Sequence, residues 1–379
     1  MKILLFANTD WYLYNFRLSL AKKIRDLGID VVLVSPPGDF SNHLKAEGFR
    51  WIPVPMDRRS LNPWSELKFI LTLASIYKSE RPDLVHHFTI KSVVYGSIAA
   101  RLAGISHRVN AVTGLGHVFI SKSIRASMLR PIVRLLMRFA LFAPKGRLIL
   151  QNKDDRDLFM ENKLVDPEYI RIIRGSGVNT SKFDQPLRIY NSGGPLRVLL
   201  ATRLLWEKGV GEYIEAAKLL RDELVHIEFL IAGSPDEGNP ASVPSETITK
   251  WASEGIIKPL GHIDDMAGLL CDVDVVVLPS YREGTPRILL EAAASGLPLV
   301  STDVPGCREV VESNINGLLV PAKNSKALAE AIKYLAGNSA ERERMGRAGR
   351  KKILDEFDEQ IVIHKTIAVY KELLSIPGA

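Results

Sequence analysis

The sequence predicts an α/β protein of two doubly wound domains, each with a parallel sheet between layers of helices. The chain has 379 residues, which is enough for two domains with buried cores. Short apolar runs alternate with helical patterns along the whole length, and this alternation is typical of parallel sheets. The predicted strands are 2–7, 30–35, 84–88, 108–112, 147–151, 196–201, 226–232, 273–278 and 298–302.

A cluster of turn-forming residues marks the predicted domain boundary. Residues 184–195 are rich in proline, glycine, asparagine and serine, a composition that favours turns. We therefore expect a first domain over 1–185 and a second over 186–358. Ligands of doubly wound sheets bind at the carboxyl ends of the strands, so we expect the active site in a cleft between the domains.

Composition excludes several classes of protein. Cys271 and Cys307 are the only cysteines, and their spacing fits neither a metal motif nor a redox motif. So few cysteines are typical of a protein in a reducing cytosol. Residues 1–7 are too few for a signal peptide and are predicted to be a strand. No apolar run reaches the ~20 residues that span a bilayer. No known module and no interleaving of basic with aromatic residues indicates a nucleic-acid partner.

Positive charge is concentrated in the first half of the chain. The formal net charge is +7, and no acidic residue occurs between Asp83 and Asp154. A helix in this interval, which also contains Arg125, is predicted to carry one basic stripe. The stripe consists of Arg130, Arg134 and Arg138, and the apolar residues predicted opposite it are Met128, Ile132, Leu135, Leu136 and Phe139. A basic amphipathic helix is typical of an element that binds an anionic membrane surface. The alternative is a core helix with a solvated arginine face.

The segment after the predicted strand 273–278 is the most informative part of the chain. Its sequence Glu283-Gly284-Thr285-Pro286-Arg287 leads into a helix that carries Glu291. Gly284 allows close backbone approach, and Pro286 suits the first turn of a helix, where its missing N–H costs nothing. The backbone amides at this helix start would form a phosphate site. Two carboxylates beside it indicate a ligand that also offers hydroxyl pairs, as a nucleotide-sugar does.

These residues also carry a family resemblance. Glu283 and Glu291 resemble the E-x7-E signature of glycosyltransferase family 4, retaining enzymes of the two-domain GT-B fold. Arg203 to Gly209 resembles the family's R-x4-K-G motif. The similarity continues over Gly261-His262-Ile263, Val277-Leu278-Pro279-Ser280, residues 302–309 and residues 316–321. The resemblance implies the GT-B fold, with a C-terminal helix at 359–379 that packs back on the first domain.

The resemblance implies a donor site in the second domain. It assigns the donor diphosphate to Arg203 and Lys208, the ribose hydroxyls to Glu291 and hydroxyls of the transferred sugar to Glu283. The place of the family's uracil-binding loop is occupied by Ile257, Gly261 and His262, which favours UDP over GDP, and Ile263 also belongs to the expected donor-binding residues. Two cations and a helix end can stabilise a leaving diphosphate without a metal, so no metal or cofactor is expected. The alternatives are a surface pair for the two cations and a solvated helix residue for Glu291.

Two pairs of residues could be mistaken for metal ligands. Asp272-Val273-Asp274 has the D-x-D pattern of the other large glycosyltransferase fold, but it enters a predicted strand that matches a family 4 motif, so we expect both aspartates at the strand edge. His86 and His87 are adjacent in a predicted strand, and adjacent strand residues face opposite sides of a sheet.

The first half of the chain departs from the family pattern. Asn8-Thr9-Asp10 replaces the usual Gly-Gly loop, Asn15-Phe16-Arg17 follows, and Thr113-Gly114-Leu115-Gly116-His117 stands where a cleft histidine is usual. This variant resembles the bacterial subgroup that extends polyprenyl-diphosphate-linked or capsular glycans, whose acceptor is a lipid. Asp10, Asn15, Arg17, Thr113, Gly114 and His117 are therefore candidates for the acceptor side. Asp10 is also a candidate general base, although retaining transfer can use the donor phosphate instead.

The resemblance thus implies a retaining transferase of a hexose or N-acetylhexosamine. The donor would be a UDP-sugar, the acceptor a hydroxyl of a lipid-linked glycan, and the location the cytoplasmic face of the membrane, where the enzyme binds peripherally. Two alternatives remain open. One is a UDP-sugar 2-epimerase of the same fold, which needs no acceptor, and the other is a non-catalytic protein that binds glycan or an anionic surface.

Overall fold

The computed structural model describes residues 1–56, 62–112, 124–184, 194–223, 225–236 and 238–375, without the side chains of residues 124–130 and 132. The chain divides into two compact units, Met1–Ser176 with Val362–Ala379, and Gly177–Ile361. The divisions thus fall before 177 and after 361, whereas the sequence predicted 185 and 358. The reason is that Val178 and Phe183 are buried in the core of the second unit.

The first unit contains a seven-stranded parallel sheet in the order β3-β2-β1-β4-β5-β6-β7. The strands are β1 Lys2–Phe6, β2 Asp30–Ser35, β3 Arg50–Pro53, β4 Leu84–Phe88, β5 Arg108–Val112, β6 Gly146–Leu150 and β7 Ile170–Ile172. The helices that begin in this unit are Asp10–Asp26, Ser41–Ala46, Pro63–Glu80, Ile90–Leu102, Ile124–Leu141 and Lys153–Glu161. Short 3₁₀ turns follow at Pro167–Tyr169 and, in the second unit, at Thr180–Phe183 and Trp206–Lys208.

Helices cover both faces of this sheet. Asp10–Asp26 packs on one face together with the C-terminal helix Glu359–Lys371, whose Ile367 and Tyr370 are buried there. Pro63–Glu80, Ile90–Leu102 and Ile124–Leu141 form a layer on the opposite face. The C-terminal segment of the chain therefore completes the core of the first unit.

The second unit contains a six-stranded parallel sheet in the order β10-β9-β8-β11-β12-β13. The strands are β8 Leu196–Ala201, β9 Ile227–Ala232, β10 Lys258–Gly261, β11 Val275–Leu278, β12 Leu299–Thr302 and β13 Gly317–Val320. The helices are Val210–Asp222, Ser245–Ser253, Met266–Cys271, Arg287–Ala294, Cys307–Val310, Ser325–Gly337 and Ser339–Glu356. The predicted fold of two doubly wound parallel sheets is confirmed.

The structure also places the two pairs that resemble metal ligands. β11 begins at Val275, so both aspartates precede the strand. The Asp274 carboxylate accepts a hydrogen bond from the Arg197 backbone N–H at 2.7 Å. His86 Nδ1 lies 2.6 Å from the Tyr370 hydroxyl and His87 Nε2 lies 3.1 Å from the Tyr77 hydroxyl, so the two rings face opposite sides of the sheet, as predicted.

Candidate active site

The candidate site lies at the carboxyl edge of the second sheet, where the strand order reverses. β8 and β11 are neighbours, while β9 and β10 lie on the far side of β8. The connections after β8 and β11 therefore leave toward opposite faces of the sheet, and such a divergence opens a crevice that binds ligands. The first connection carries Arg203 and Lys208, and the second carries Glu283 to Pro286.

Lys208 and Glu283 meet in this crevice as an ion pair. Lys208 Nζ lies 2.6 Å from Glu283 Oε1, and the two side chains are only 13% and 14% exposed. Gly209 makes this approach possible, because its φ is +75° and a Cβ there would lie 2.1 Å from the Pro279 carbonyl oxygen. The structure thus brings together a cation and a carboxylate that are 75 residues apart in the chain.

Arg203 occupies the rim of the crevice. Its side chain is 60% exposed, and its Nη1 lies 3.6 Å from Asp236 Oδ2, a loose ion pair in contact with water. An exposed arginine can turn toward an incoming phosphate at low cost, whereas Lys208 is held in place by Glu283. The two cations therefore differ in mobility, a difference that the motif spacing did not indicate.

The loop between Glu283 and the following helix differs in one detail from the prediction. The helix Arg287–Ala294 begins after Pro286, which is its N-cap residue and not part of its first turn. Backbone N–H groups at the start of a helix lack intrahelical acceptors, and this helix end follows directly on the Glu283 loop. The Thr285 hydroxyl is buried there with no hydrogen-bond partner. A buried hydroxyl without a partner is costly and points to a polar ligand.

A third connection, after β12, supports this loop. Gly306 has φ +82°, and a Cβ at this position would lie 2.1 Å from the Gly284 carbonyl oxygen and 2.5 Å from that of Glu283. The Glu283 N–H also donates to the Pro305 carbonyl at 3.3 Å. Gly306 belongs to the family-like segment 302–309, but sequence reasoning did not identify its role as the support of the Glu283 loop.

Glu291 is buried one turn into the helix. Its Oε1 lies 2.6 Å from Arg287 Nε, and its residue exposure is 8%, which excludes the alternative of a solvated helix residue. Burial raises the pKa of the Glu291 carboxyl, although the charges of Arg287 and Lys182 oppose this effect. A buried carboxylate with one cation partner can accept further hydrogen bonds, as the hydroxyls of a ribose would require.

The predicted base-binding residues lie at the edge of the sheet. Gly261 ends the edge strand β10 with φ +70°, and its carbonyl accepts from the Gly233 N–H at 2.7 Å. The His262 side chain is 70% exposed, with Nε2 3.3 Å from Asp264 Oδ1, and Ile263 is partly buried against the core. Gly261 ends β10 and the other two residues follow it, two strands away from β8. The structure therefore places them beside the crevice and not within the Lys208–Glu283 cluster.

In the first unit, the Asp10 carboxylate is buried and accepts hydrogen bonds from neighbouring groups. Its Oδ1 accepts from the Trp11 N–H at 2.7 Å, and its Oδ2 accepts from the Phe40 N–H at 3.0 Å and the Ser41 hydroxyl at 2.8 Å. A buried carboxylate with three donors holds the first helix against the loop before Ser41, and this environment does not favour a general base. Asn15 Nδ2 donates to the Trp11 carbonyl. Thr113, Gly114 and His117 lie outside the described residues.

Arg17 is buried, which the sequence did not indicate. Its Nη2 donates to the Tyr12 hydroxyl at 2.7 Å, and its guanidinium carbon lies 4.4 Å from the Phe88 ring centroid. Arg17 and His86 line a cavity of about 10 Å³, and neither Arg17 Nε nor His86 Nε2 has a hydrogen-bond partner. This space is about the size that one water molecule needs. Burial, together with the Arg17 charge, lowers the pKa of His86 well below its usual value.

The basic helix Ile124–Leu141 exposes arginines and apolar residues alike among its described side chains. Met137, Ala140 and Leu141 are its buried residues among those whose side chains are described. Leu135, Leu136 and Phe139, which were predicted to lie opposite the arginine stripe, are 69%, 40% and 48% exposed. Arg134 and Arg138 are exposed as well, while the side chains of Arg125 and Arg130 lie outside the described part. The helix phase explains this exposure, because positions 137, 140 and 141 turn toward the sheet and leave 135 and 139 outward.

Two general features concern metals and membranes. Within the described ranges, no group of three or more histidine, cysteine, aspartate or glutamate side chains could hold a metal ion. No helix in the described part of the chain is both long and apolar enough to cross a bilayer.

Comparisons with known proteins agree with this arrangement. The family model Glycosyl transferase 4-like matches residues 2–142, and Glycosyl transferases group 1 matches residues 187–352. The N,N'-diacetylbacillosaminyl-diphospho-undecaprenol alpha-1,3-N-acetylgalactosaminyltransferase of Campylobacter jejuni is 29% identical over 99% of each chain. The UDP-Gal:alpha-D-GlcNAc-diphosphoundecaprenol alpha-1,3-galactosyltransferase of Escherichia coli is 27% identical over 74% of this chain and 73% of that protein.

Solved structures share the fold. Anabaena Alr3699/HepE, determined in complex with UDP-glucose, has a TM-score of 0.79 and 19% identity over 98% of this chain and 100% of that one. The fold is therefore GT-B, and the family models identify the class as glycosyltransferase. The two family models together extend over most of the sequence, so the chain is a glycosyltransferase similar to the group 1 and 4-like families that they describe.

Proposed function

We propose that this glycosyltransferase moves a hexose or N-acetylhexosamine, with retention, from a UDP-sugar to a hydroxyl of a polyprenyl-diphosphate-linked glycan at the cytoplasmic membrane face. The observation that carries the donor side is the buried Lys208–Glu283 pair at 2.6 Å, beside the unpartnered Thr285 hydroxyl. The activities for which the Campylobacter and Escherichia relatives are named support the lipid-linked acceptor, and that of the Escherichia relative also supports a UDP-linked donor.

The Lys208–Glu283 ion pair suggests how the donor would be bound. A diphosphate entering the crevice offers Lys208 a second anion, so the Glu283 carboxylate becomes able to accept hydroxyls of the transferred sugar. Arg203 would turn from the rim to the same diphosphate, and Glu291 would accept the ribose hydroxyls. As the sugar leaves, charge grows on the diphosphate, and Lys208, Arg203 and the helix end would stabilise it.

The basic helix Ile124–Leu141 would bind the membrane that carries the acceptor. Leu135 and Phe139 are exposed beside Arg134 and Arg138. An exposed side that carries both apolar and basic groups is the pattern of a helix that lies at a membrane interface. Each basic residue near an anionic surface contributes about 1 kcal/mol. Exchange of both arginines for glutamate should therefore weaken flotation with vesicles that contain phosphatidylglycerol. Binding equal to wild type would remove this assignment.

The central experiment supplies UDP-sugars with and without a lipid-diphosphate glycan and follows both products. The proposal requires a lengthened glycan and UDP, both lost in Glu291→Ala and both retained in the surface control Lys218→Ala. A new UDP-sugar formed without acceptor would identify a 2-epimerase instead, and absence of any turnover with every donor would favour a binding protein. Turnover should survive chelation by EDTA, since the two cations and helix end replace a metal; loss of activity would contradict this.

A further inference from the structure

The helix Pro63–Glu80 of the first unit exposes an apolar stripe. Trp64, Leu67 and Leu71 are 80%, 47% and 54% exposed in the described structure. Their spacing of three and four residues places them on one side of the helix. The opposite side enters the core of the first unit through Phe69, Ile70, Leu73, Ala74 and Tyr77. The helix is therefore apolar on both sides, and its core contacts account for only one of them.

The exposed side carries positive charge without carboxylates. Lys68 and Lys78 are exposed there. The two acidic residues of the helix are occupied elsewhere, because Glu66 Oε1 lies 2.8 Å from Lys91 Nζ and Glu80 Oε1 lies 2.5 Å from Arg50 Nη2. A stripe of large apolar groups flanked by lysines, with the nearby carboxylates neutralised, is complementary to an anionic apolar boundary.

This helix belongs to the same layer as the basic helix Ile124–Leu141. Ile90–Leu102 lies between them, with the Tyr95 ring 5.9 Å from that of Phe69 on one side. On the other side the Arg101 guanidinium lies 4.1 Å from the Phe139 ring centroid. Both outer helices of one layer thus expose apolar side chains beside basic ones.

We propose that Pro63–Glu80 is a second membrane-contacting helix, which inserts Trp64, Leu67 and Leu71 at the boundary between headgroups and acyl chains of an anionic bilayer. Lys68 and Lys78 would bind lipid phosphates while their alkyl stems lie along the apolar surface. Tryptophan is enriched at this depth of membranes. This inference rests on the membrane association proposed above for the basic helix.

A lipid surface fits this face better than a second copy of the chain. Two copies joined through it would bring their lysines together without a carboxylate between them, and like charges in contact are costly. A bilayer with phosphatidylglycerol supplies the missing negative charge and an apolar interior at once.

Tryptophan fluorescence gives the first test. With vesicles of phosphatidylcholine and phosphatidylglycerol, we expect the emission of the wild type to shift to the blue and to be quenched by lipids brominated near the glycerol end. The control Trp64→Phe keeps the apolar contact, so it should bind vesicles as the wild type does while losing most of the quenching. Full quenching in Trp64→Phe would assign it to another tryptophan and overturn the inference.

Vesicle partitioning gives the second test. The variant Trp64→Ala/Leu67→Ser/Leu71→Ser should bind vesicles at least about tenfold more weakly. Leu219→Ser/Leu354→Ser, which changes two exposed leucines of the second unit, is the matched control and should bind normally. Unchanged binding by the triple variant would overturn the proposal. So would conversion of a dimer to a monomer with vesicle binding intact, because the face would then be a protein interface.

Failure of the second-helix proposal can be distinguished from failure of the proposed function. A short-chain, water-soluble acceptor measures transfer without a membrane, and the triple variant should use it as well as the wild type. If this variant shows normal transfer and normal vesicle binding, only the proposal of a second membrane-contacting helix is contradicted. Failure of the wild type to transfer to any acceptor, with tenfold weaker vesicle binding by the triple variant, defeats the proposed reaction and leaves the lipid contact standing.

Discussion

Loss of Lys208 should damage stability as well as catalysis, because its partner is buried. At 2.6 Å and an effective dielectric constant near 20, the attraction between Lys208 Nζ and Glu283 Oε1 is about 6 kcal/mol. Removing both charges from water costs several kcal/mol for each ion, so the pair contributes little net stability. Removing one partner leaves the other charge buried alone, which typically costs about 3–5 kcal/mol.

Lys208→Met should therefore unfold more easily than wild type by about 3 kcal/mol, which lowers the melting temperature by roughly 6–12 °C for a unit of this size. The double variant Lys208→Met/Glu283→Leu should recover most of this loss, because no unpaired charge remains. Turnover should fall on the order of 10²–10³ in both variants. Stability and activity thus separate in the double variant.

Scanning calorimetry and a transfer assay on the same samples make the test. The control is Lys218→Met, whose Nζ lies 2.8 Å from Glu215 Oε1 with side chains 35% and 57% exposed. Exposed pairs of this kind contribute about 0.3–0.5 kcal/mol, so its melting should barely change. The reasoning is refuted if Lys208→Met melts like this control, or if the double variant is no more stable than the single one.

Three further predictions follow from the described contacts. Gly306→Ala should displace the Glu283 loop, since its Cβ would lie 2.1 Å from the Gly284 carbonyl oxygen; titration calorimetry should find UDP binding at least about tenfold weaker. Glu291→Gln should weaken UDP binding yet match or exceed the wild-type melting temperature above pH 6, because burial raises the pKa of the Glu291 carboxyl and disfavours its ionised form. An equal affinity for UDP would contradict its role. Burial lowers the pKa of His87 to about 3, so between that value and pH 6.5 only unfolded chains gain its proton. Stability measured by urea titration should therefore fall toward acid, and the slope should be shallower in His87→Asn by up to about 1.4 kcal/mol per pH unit.

The central strands could be predicted from the sequence, while the four edge strands could not. β3, β7, β10 and β13 lie at the edges of the two sheets and were not among the predicted strands. Central strands of parallel sheets are buried on both faces and appear as continuous apolar runs. β10, with the sequence Lys-Pro-Leu-Gly, is exposed at three of its four residues and has no such run.

The donor site could be predicted only as separate motifs. Spacing and the family resemblance identified Lys208 and Glu283 as functional candidates, but their contact depends on β8 and β11 being neighbours, and strand order is a tertiary property. The same limit affected the basic helix. Its arginines were visible in the sequence, whereas the exposure of Leu135 and Phe139 depends on which residues face the sheet, and the apolar content of that helix allowed two phases.

The discontinuous construction of the first unit has a consequence for synthesis on the ribosome. Its core needs Ile367 and Tyr370, which leave the ribosome after every residue of the second unit has been made. Residues 177–361 can therefore reach their native state first, while residues 1–176 remain with one face of their sheet uncovered. Until then the nascent chain exposes an apolar surface to which chaperones can bind, and the emergence of the helix Glu359–Lys371 completes the core of the first unit.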